Sequence, residues 1–181
     1  MPEHVAGVVL AAGAGTRYGM PKVLGGEGQW LRSAISALRD GGCDDIVVVL
    51  GAAMVDVPVP ARRVVASDWA EGISASLRAG MAAIESGSAA YAVLMTVDTP
   101  DIGAEVVDRV LAAARSSPSG LARAGYHGGR PGHPVVVARR HWPDLVAQAV
   151  GDQGGKAFLQ DRSDVTWVDC TDLASGADID V

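Results

Sequence analysis

A glycine-rich segment with two cations, LAAGAGTRYGMPK at residues 10–22, is the first part of the chain whose residue types indicate chemistry. Glycines permit positive φ angles and let the backbone approach a ligand closely. Successive backbone N–H groups in such a loop can surround phosphate oxygens, and Arg17 and Lys22 add fixed positive charge. The segment predicts a polyphosphate site, although a glycine-rich turn with two solvent-facing cations has the same composition.

Acidic residues at two other places could hold a metal ion beside such phosphates. Asp98 closes an apolar run in LMTVDTPDI (94–102), and Asp178 and Asp180 lie in the last residues, ADIDV. A carboxylate at the end of a buried strand lies at the sheet edge where open α/β sheets bind ligands. Mg²⁺ prefers carboxylate and phosphate oxygens. The alternatives are a turn or capping aspartate, which suits Asp101 better than Asp98, and a solvated acidic tail.

Two other glycine motifs do not fit the segment. A dinucleotide fingerprint needs G-x-G-x-x-G at the start of a helix, but Gly19 follows Gly13 and Gly15 one position late. A P-loop needs G-K-[ST], but Lys22 is preceded by proline and followed by Val23, which has no hydroxyl for a metal. The loop therefore predicts a nucleoside triphosphate lying across the end of a sheet, without either of these frameworks.

Hydrophobic patterns predict the elements that would position these residues. Short Val-rich runs indicate buried strands, and apolar residues at helical spacing indicate amphipathic helices. The predicted strands are 5–10, 46–51, 62–66, 91–98, 134–138 and 165–169, with a weaker one at 120–125. The predicted helices are 29–39, 74–85, 103–115, 142–150 and 155–160, and YHGGRPGHP (126–134) is predicted as a long glycine-rich connection. Strands that alternate with helices indicate βαβ units, a mostly parallel sheet and one domain, 1–181.

The composition of the chain limits the classes of binding partner and the cellular compartment that we expect. Apolar residues make up 49% of the chain, enough for a substantial core, while the net charge of −6 and the lack of a Lys/Arg block argue against nucleic acid or an anionic membrane. The two cysteines, Cys43 and Cys170, are far apart and outside any CxxC spacing, so we expect reduced thiols and no zinc site. No apolar run approaches ~18 residues. We expect a cytoplasmic protein.

Five segments together resemble the MobA-like nucleotidyltransferases, and most closely the molybdenum cofactor cytidylyltransferases and related accessory proteins of molybdenum hydroxylases. They are LAAGAGTRYGMPK (10–22), DWAEGISASLRAG (68–80), VDTPDI (97–102), GGRPGHPVVV (128–137) with GDQGGKAFL (151–159), and DID (178–180). The LAAG-x-G-x-R-x-G-x-x-K pattern is specific to this superfamily. The pairing of GHP with GD-x-G is more typical of the cytidylyltransferase branch.

The resemblance implies an α/β protein with the three-layer, Rossmann-like fold of the nucleotide-diphospho-sugar transferases and a mostly parallel central sheet. It implies catalytic roles for Arg17, Lys22 and Asp98, and Mg²⁺ on Asp98 and Asp180. The implied nucleotide-binding residues are Leu10, Ala11, Ala12, Gly13, Gly15, Gly72, Ser74 and Ser76. The implied acceptor-binding residues are Gly132, His133 and Asp152.

Simpler structural roles remain open for several of these residues. Ser74 could cap the helix predicted at 74–85, and Asp152 could cap the helix that follows it. His133 could be satisfied within a tight turn. Relatives usually continue beyond the position of Val181, which leaves the metal role of Asp180 open.

The implied reaction is Mg²⁺-dependent transfer of CMP from CTP to the phosphate of the molybdopterin cofactor, with release of pyrophosphate. CTP is favoured because a second glycine in place of Ala12 would suggest GTP. The alternatives are a molybdenum cofactor guanylyltransferase, a cytidylyltransferase for a sugar or isoprenoid-precursor phosphate, and a non-catalytic cofactor carrier or insertion chaperone. A molybdenum hydroxylase subunit is a further candidate partner.

Overall fold

The structure, a computed structural model, describes residues 3–179. The strands are β1 (Val5–Leu10), β2 (Asp45–Leu50), β3 (Arg62–Val65), β4 (Tyr91–Thr96), β5 (Leu121–Tyr126), β6 (Arg130–Ala138) and β7 (Thr166–Asp169). The helices are α1 (Gln29–Asp40), α2 (Ile73–Glu85), α3 (Ala104–Ser116), α4 (Trp142–Gln148) and α5 (Lys156–Leu159), with short 3₁₀ turns between them. Within the described range, no helix is long and apolar enough to cross a membrane.

A single sheet of seven strands, in the order β3-β2-β1-β4-β6-β5-β7, organises the chain. Strands β3, β2, β1 and β4 are parallel neighbours. Strand β6 runs antiparallel to both β4 and β5, and β7 is parallel to β5. Because β1 and β4 end side by side, with Leu10 in register with Thr96, the segments that follow them meet at one edge of the sheet.

Helices cover both faces of the sheet, which gives three layers. One core lies between the sheet and helices α1 and α3, with side chains such as Leu38 and Val110. The other lies between the sheet and helices α2, α4 and α5, with Leu77, Leu145 and Phe158. The strands alternate between the two cores, as period-2 geometry requires. The α/β class, the mostly parallel sheet and the three-layer architecture are confirmed.

The segment 126–134 differs from the expected long connection. Tyr126 ends β5, Arg130 begins β6, and only the turn His127–Gly129 separates the two strands. Tyr126 pairs with Arg130 across this hairpin, and Gly128 and Gly129 turn the chain with φ of 77° and 72°. Its glycines and prolines resemble a loop in sequence, but pairing with β5 holds most of the segment in a strand.

Candidate active site

The loop after β1 forms one wall of a cleft of about 360 Å³ at the carboxyl edge of the sheet. The side chains of β1 are wholly inside the protein, so the chain emerges from the core at Leu10. The N–H groups of residues 12–15 donate no hydrogen bond to any residue in the range 3–179. Four successive donors at the edge of a cleft suit an anionic ligand.

The turn that closes this loop depends on Gly15. Its φ is 65°, its carbonyl accepts a hydrogen bond from the Gly19 N–H at 2.8 Å, and a Cβ on Gly15 would lie 1.9 Å from the Met20 carbonyl oxygen. Only glycine fits there. The turn brings the chain back so that Lys22, at the start of a 3₁₀ turn, also lines the cleft.

Lys22 and Asp98 form an ion pair at the bottom of the cleft. The distance from Lys22 Nζ to Asp98 Oδ2 is 2.7 Å, and the two side chains are 17% and 15% exposed. Asp98 follows β4 by two residues, which places it beside the loop after β1. Its other oxygen, Oδ1, is buried and accepts no hydrogen bond from the described residues. A buried carboxylate oxygen without a donor is an available ligand for a hard cation.

The C-terminal segment runs past this ion pair. The Ile179 N–H donates to the Asp98 carbonyl at 2.9 Å. Upstream, the Ser175 N–H and hydroxyl both donate to Asp101 Oδ2, at 2.8 and 2.6 Å, and Arg130 donates to the Ser175 carbonyl. These bonds bring residues 175–179 to the site. Asp180, the second metal ligand expected from the sequence, lies outside the described residues.

The opposite wall of the cleft comes from the start of α2 and the turn before it. Gly72, Ser76 and Trp69 line it. Trp69 also packs against Gly51, where a Cβ would lie 2.5 Å from the indole side chain and 2.9 Å from the Ala12 Cβ. Ala12 of the loop and Trp69 of the opposite wall therefore both lie close to Gly51.

Ser74 points away from this cleft. Its hydroxyl accepts a hydrogen bond from the Gly154 N–H at 3.0 Å, and the residue is 1% exposed. The capping interpretation of Ser74 is wrong, because α2 begins one residue earlier, at Ile73, with Gly72 as its N-cap. The interpretation of Asp152 as a cap is also wrong, since Gly155 precedes α5 and no side chain caps that helix.

A second cavity of about 430 Å³ adjoins the first and shares Leu10, Ile73 and Asp152 with it. His133 lines this cavity. Burial, and then the charge of Arg123, lowers the pKa of His133, while Asp98 and Asp178 oppose that shift. The ring is therefore neutral at neutral pH. Two of the three acceptor-binding residues implied by the sequence, His133 and Asp152, are thus brought together beside the first cleft.

The family of the chain follows from its similarity to known proteins. Residues 7–165 match the family described as the MobA-like NTP transferase domain. The chain belongs to this family. It is a nucleotidyltransferase of the MobA-like type.

Two curated members of this family align along most of the chain. One is nicotine blue oxidoreductase from Paenarthrobacter nicotinovorans, 35% identical over 191 positions that cover 97% of this chain and 92% of the relative. The other is molybdenum cofactor guanylyltransferase from Rhizobium johnstonii, 37% identical over 176 positions that cover 92% of this chain and 79% of the relative.

Among solved structures, Rv0371c from Mycobacterium tuberculosis H37Rv superposes with a TM-score of 0.79 at 25% identity, covering 100% of this chain and 95% of that one. A second crystal structure of Rv0371c is a complex with manganese, with a TM-score of 0.70, 25% identity and coverage of 97% and 94%. In this chain, residues 3–179 contain no group of three or more His, Cys, Asp or Glu side chains arranged to hold a metal.

The structure brings most, but not all, of the expected site residues together. Leu10, Ala11, Ala12, Gly13, Gly15, Lys22, Gly72, Ser76 and Asp98 line the first cleft. Arg17 is exposed and does not line either cavity. Gly132 packs against the ring of Tyr126, where a Cβ would lie 2.7 Å from the ring.

Sequence reasoning missed two cations of the second cavity, Arg123 and Lys156. The signal for Arg123 was a charged residue between small apolar ones in the strand LARAG. A charge on a strand that is covered on both faces must lie in a cavity or against a partner. Lys156, an exposed residue in a polar segment, carried no comparable signal.

Proposed function

We propose that this protein transfers CMP from CTP to the phosphate of the molybdopterin cofactor and releases pyrophosphate. One observation carries the proposal: residues 12–15, whose N–H groups bond no residue in the range 3–179, line the same cleft as the Lys22–Asp98 pair. That arrangement provides donors for phosphate oxygens, a cation beside them and a carboxylate for a metal. The expected catalytic roles of Arg17, Lys22 and Asp98 belong to this proposal.

In the proposed complex, the triphosphate lies along the loop. The N–H groups of residues 12–15 donate to its oxygens, and Lys22 neutralises charge that collects on the pyrophosphate. Arg17, which is exposed, would contact the outer phosphates. Asp98 would hold Mg²⁺ through Oδ1, with Asp180 as a second ligand, and the ion would supply charge neutralisation at the phosphates. The orphaned Oδ1 atom fits this ligand role.

The reaction is an in-line displacement. An oxygen of the acceptor phosphate attacks the α-phosphorus of CTP, the bond between that phosphorus and the bridging β-phosphate oxygen breaks, and pyrophosphate leaves. A phosphate monoester is already anionic near neutral pH, so the site needs no strong general base. Positioning and charge stabilisation by the loop and Lys22 supply the catalysis.

The residues at the loop and on the α2 wall of the first cleft bear on the choice of nucleotide. Ala12 and Trp69 both pack against Gly51, and Ser76 lies on the wall formed by α2. The preference for CTP over GTP rests on the LAAG form of the loop, in which Ala12 stands where a second glycine would suggest GTP. The guanylyltransferase relative keeps GTP as the alternative nucleotide.

The second cavity supports binding of the acceptor beside the nucleotide. It adjoins the first cleft and shares the lining residues Leu10, Ile73 and Asp152 with it, which supports an acceptor that lies in the second cavity and places its phosphate in the first. His133 and Asp152 are the acceptor-binding residues of this proposal. A hydroxylase subunit that receives the product, or uses the protein as a carrier, would approach the open side of this cavity.

The decisive experiment measures pyrophosphate release from CTP, GTP and ATP, each with Mg²⁺ and molybdopterin cofactor. Release that requires the acceptor and is fastest with CTP supports the proposal. Faster release with GTP would assign the guanylyltransferase alternative. No release with any of the three nucleotides, under conditions where a known transferase turns over, would refute nucleotidyl transfer to this acceptor.

The name of one relative adds an oxidoreductase as a second candidate, since that alignment covers nearly all of both chains. A nicotinamide dinucleotide would need an acidic residue for its ribose after the second strand. Here β2 is followed by Gly51-Ala52-Ala53-Met54, and the glycine loop leads to a 3₁₀ turn that starts at Lys22. The same preparations should be assayed for NADH and NADPH oxidation with a quinone-like dye, where dye-dependent turnover would favour this candidate.

A further inference from the structure

An arginine forms part of the floor of the second cavity, which is otherwise mainly apolar. The sheet supplies Leu94, Val135 and Val137, and the covering helices supply Leu77, Leu145 and Leu159. Arg123 lies on β5, in register with Val135 of β6 and Trp167 of β7. Its neighbours Ala122 and Ala124 belong to the opposite core, so Arg123 faces α2, α4 and α5.

Arg123 has donors that the protein does not satisfy. Its Nε atom is buried and donates to no described residue, and the side chain forms no ion pair within the described range. Burial lowers the pKa of Arg123, but a guanidinium group does not lose its proton in proteins. The cavity therefore contains a cation that lacks a counter-charge.

The other groups around the cavity do not supply that charge. Asp152 is the one acidic residue among its described lining residues, and it lies at the boundary with the first cleft. Lys156 adds a second cation, and the neutral ring of His133 adds none. The cavity is thus locally positive in a chain of net charge −6.

We propose that Arg123, with Lys156, forms an anion subsite in the second cavity, which binds a second anionic group of the acceptor. This inference rests on the proposed function in so far as it names the acceptor as the ligand. The attacking phosphate must reach the α-phosphorus beside Asp98, which lines only the first cleft, whereas Arg123 lines only the second. The acceptor class is therefore one that carries a phosphate and, apart from it, a second anionic group, with a connecting body that fits the apolar walls of the second cavity.

The subsite can be tested without turnover by NMR on the full, ¹⁵N-labelled chain. Inorganic phosphate is the probe, and the Arg123 Nε–H signal, assigned by its absence in Arg123→Lys, is the readout. We expect a saturable shift that persists in Lys22→Met, where the cation of the first cleft is missing. The Nε–H of Arg63, an exposed side chain on β3, reports nonspecific effects of salt. An Arg123 signal that does not move, or moves only in parallel with Arg63, would overturn the subsite.

Kinetics then test its role with the acceptor. We expect Arg123→Met to raise the KM for the acceptor about tenfold or more, the scale of one lost charged contact, and to leave the KM for CTP unchanged. Arg123→Lys should recover part of the loss, and Arg63→Met is the matched control. Thermal unfolding checks that each variant is folded.

The two proposals fail in different ways. If the protein releases no pyrophosphate but the Arg123 signal shifts with phosphate, the transferase proposal is refuted and the anion subsite is supported. If a folded Arg123→Met variant has a normal KM for the acceptor, the subsite proposal is refuted and the transferase proposal is unaffected.

Discussion

Replacing Lys22 by methionine removes the cation of the first cleft but keeps most of the side-chain length. Among residues 3–179, Lys22 is the one side chain that bonds the Asp98 carboxylate, at 2.7 Å. Breaking a buried ion pair costs about 3–5 kcal/mol, whereas an exposed pair contributes about 0–1 kcal/mol. With side chains 17% and 15% exposed, we expect Lys22→Met to lower the free energy of unfolding by about 2 kcal/mol.

The effect on turnover should be larger than this stability loss explains. Removing one electrostatic contact to a developing negative charge lowers kcat about 10²-fold or more, and a variant that is still folded at the assay temperature shows this loss directly. The assays are pyrophosphate release and urea unfolding. Arg63→Met, which removes an equal charge from an exposed position on β3, is the control and should change neither quantity.

A double variant separates the two roles of Lys22. Lys22→Met combined with Asp98→Asn also removes the carboxylate that the first substitution leaves without its cation, so most of the lost stability should return while kcat falls below that of Lys22→Met. A kcat loss below about threefold in Lys22→Met would refute the catalytic reasoning, given the size expected for such a contact. A double variant less stable than Lys22→Met would refute the account of the ion pair.

The remaining predictions concern the walls of the two cavities. Gly72→Ala should lower the free energy of unfolding by about 2 kcal/mol or more, because φ at Gly72 is 117° and the new Cβ would lie 2.5 Å from Asp152 Oδ1. The control Gly128→Ala, with φ of 77° and no atom within 4 Å of the new Cβ, should lower it by only about 1 kcal/mol. Equal losses for the two variants in urea unfolding would contradict this prediction. Ser76→Ala should raise the KM for the nucleotide several-fold. Ser74→Ala should leave that KM nearly unchanged but lower the free energy of unfolding by about 1–3 kcal/mol, because the Gly154 N–H loses its acceptor. The reverse pattern would exchange the roles of the two serines. Burial, and then the charge of Arg123, hold the pKa of His133 below its ordinary value of 6.5. Between the folded pKa and 6.5 the unfolded chain binds more protons, so stability should fall as the pH drops below about 6.5. Arg123→Met should raise the pKa of His133, and an unchanged ring titration by NMR would contradict the contribution assigned to Arg123.

Local sequence patterns determined most of the framework of this protein. Runs such as VAGVVL (5–10) and the helical spacing in 29–39 depend on short-range periodicity, which the tertiary structure preserves. The position of Asp98 beside the glycine loop also followed from sequence, because Asp98 and the loop follow parallel strands whose ends share an edge. Lys22 reaches the same cleft through the turn at Gly15.

Features that depend on contacts between distant residues were decided only by the tertiary structure. The hairpin within 126–134 is held by pairing with β5, and the Ser74 hydroxyl bonds an N–H 80 positions away. The direction in which Arg123 faces follows from its register between β6 and β7. Periodicity shows that such a residue alternates with its neighbours, but only the packing of α2, α4 and α5 over the sheet shows that its side of the strand borders a cavity.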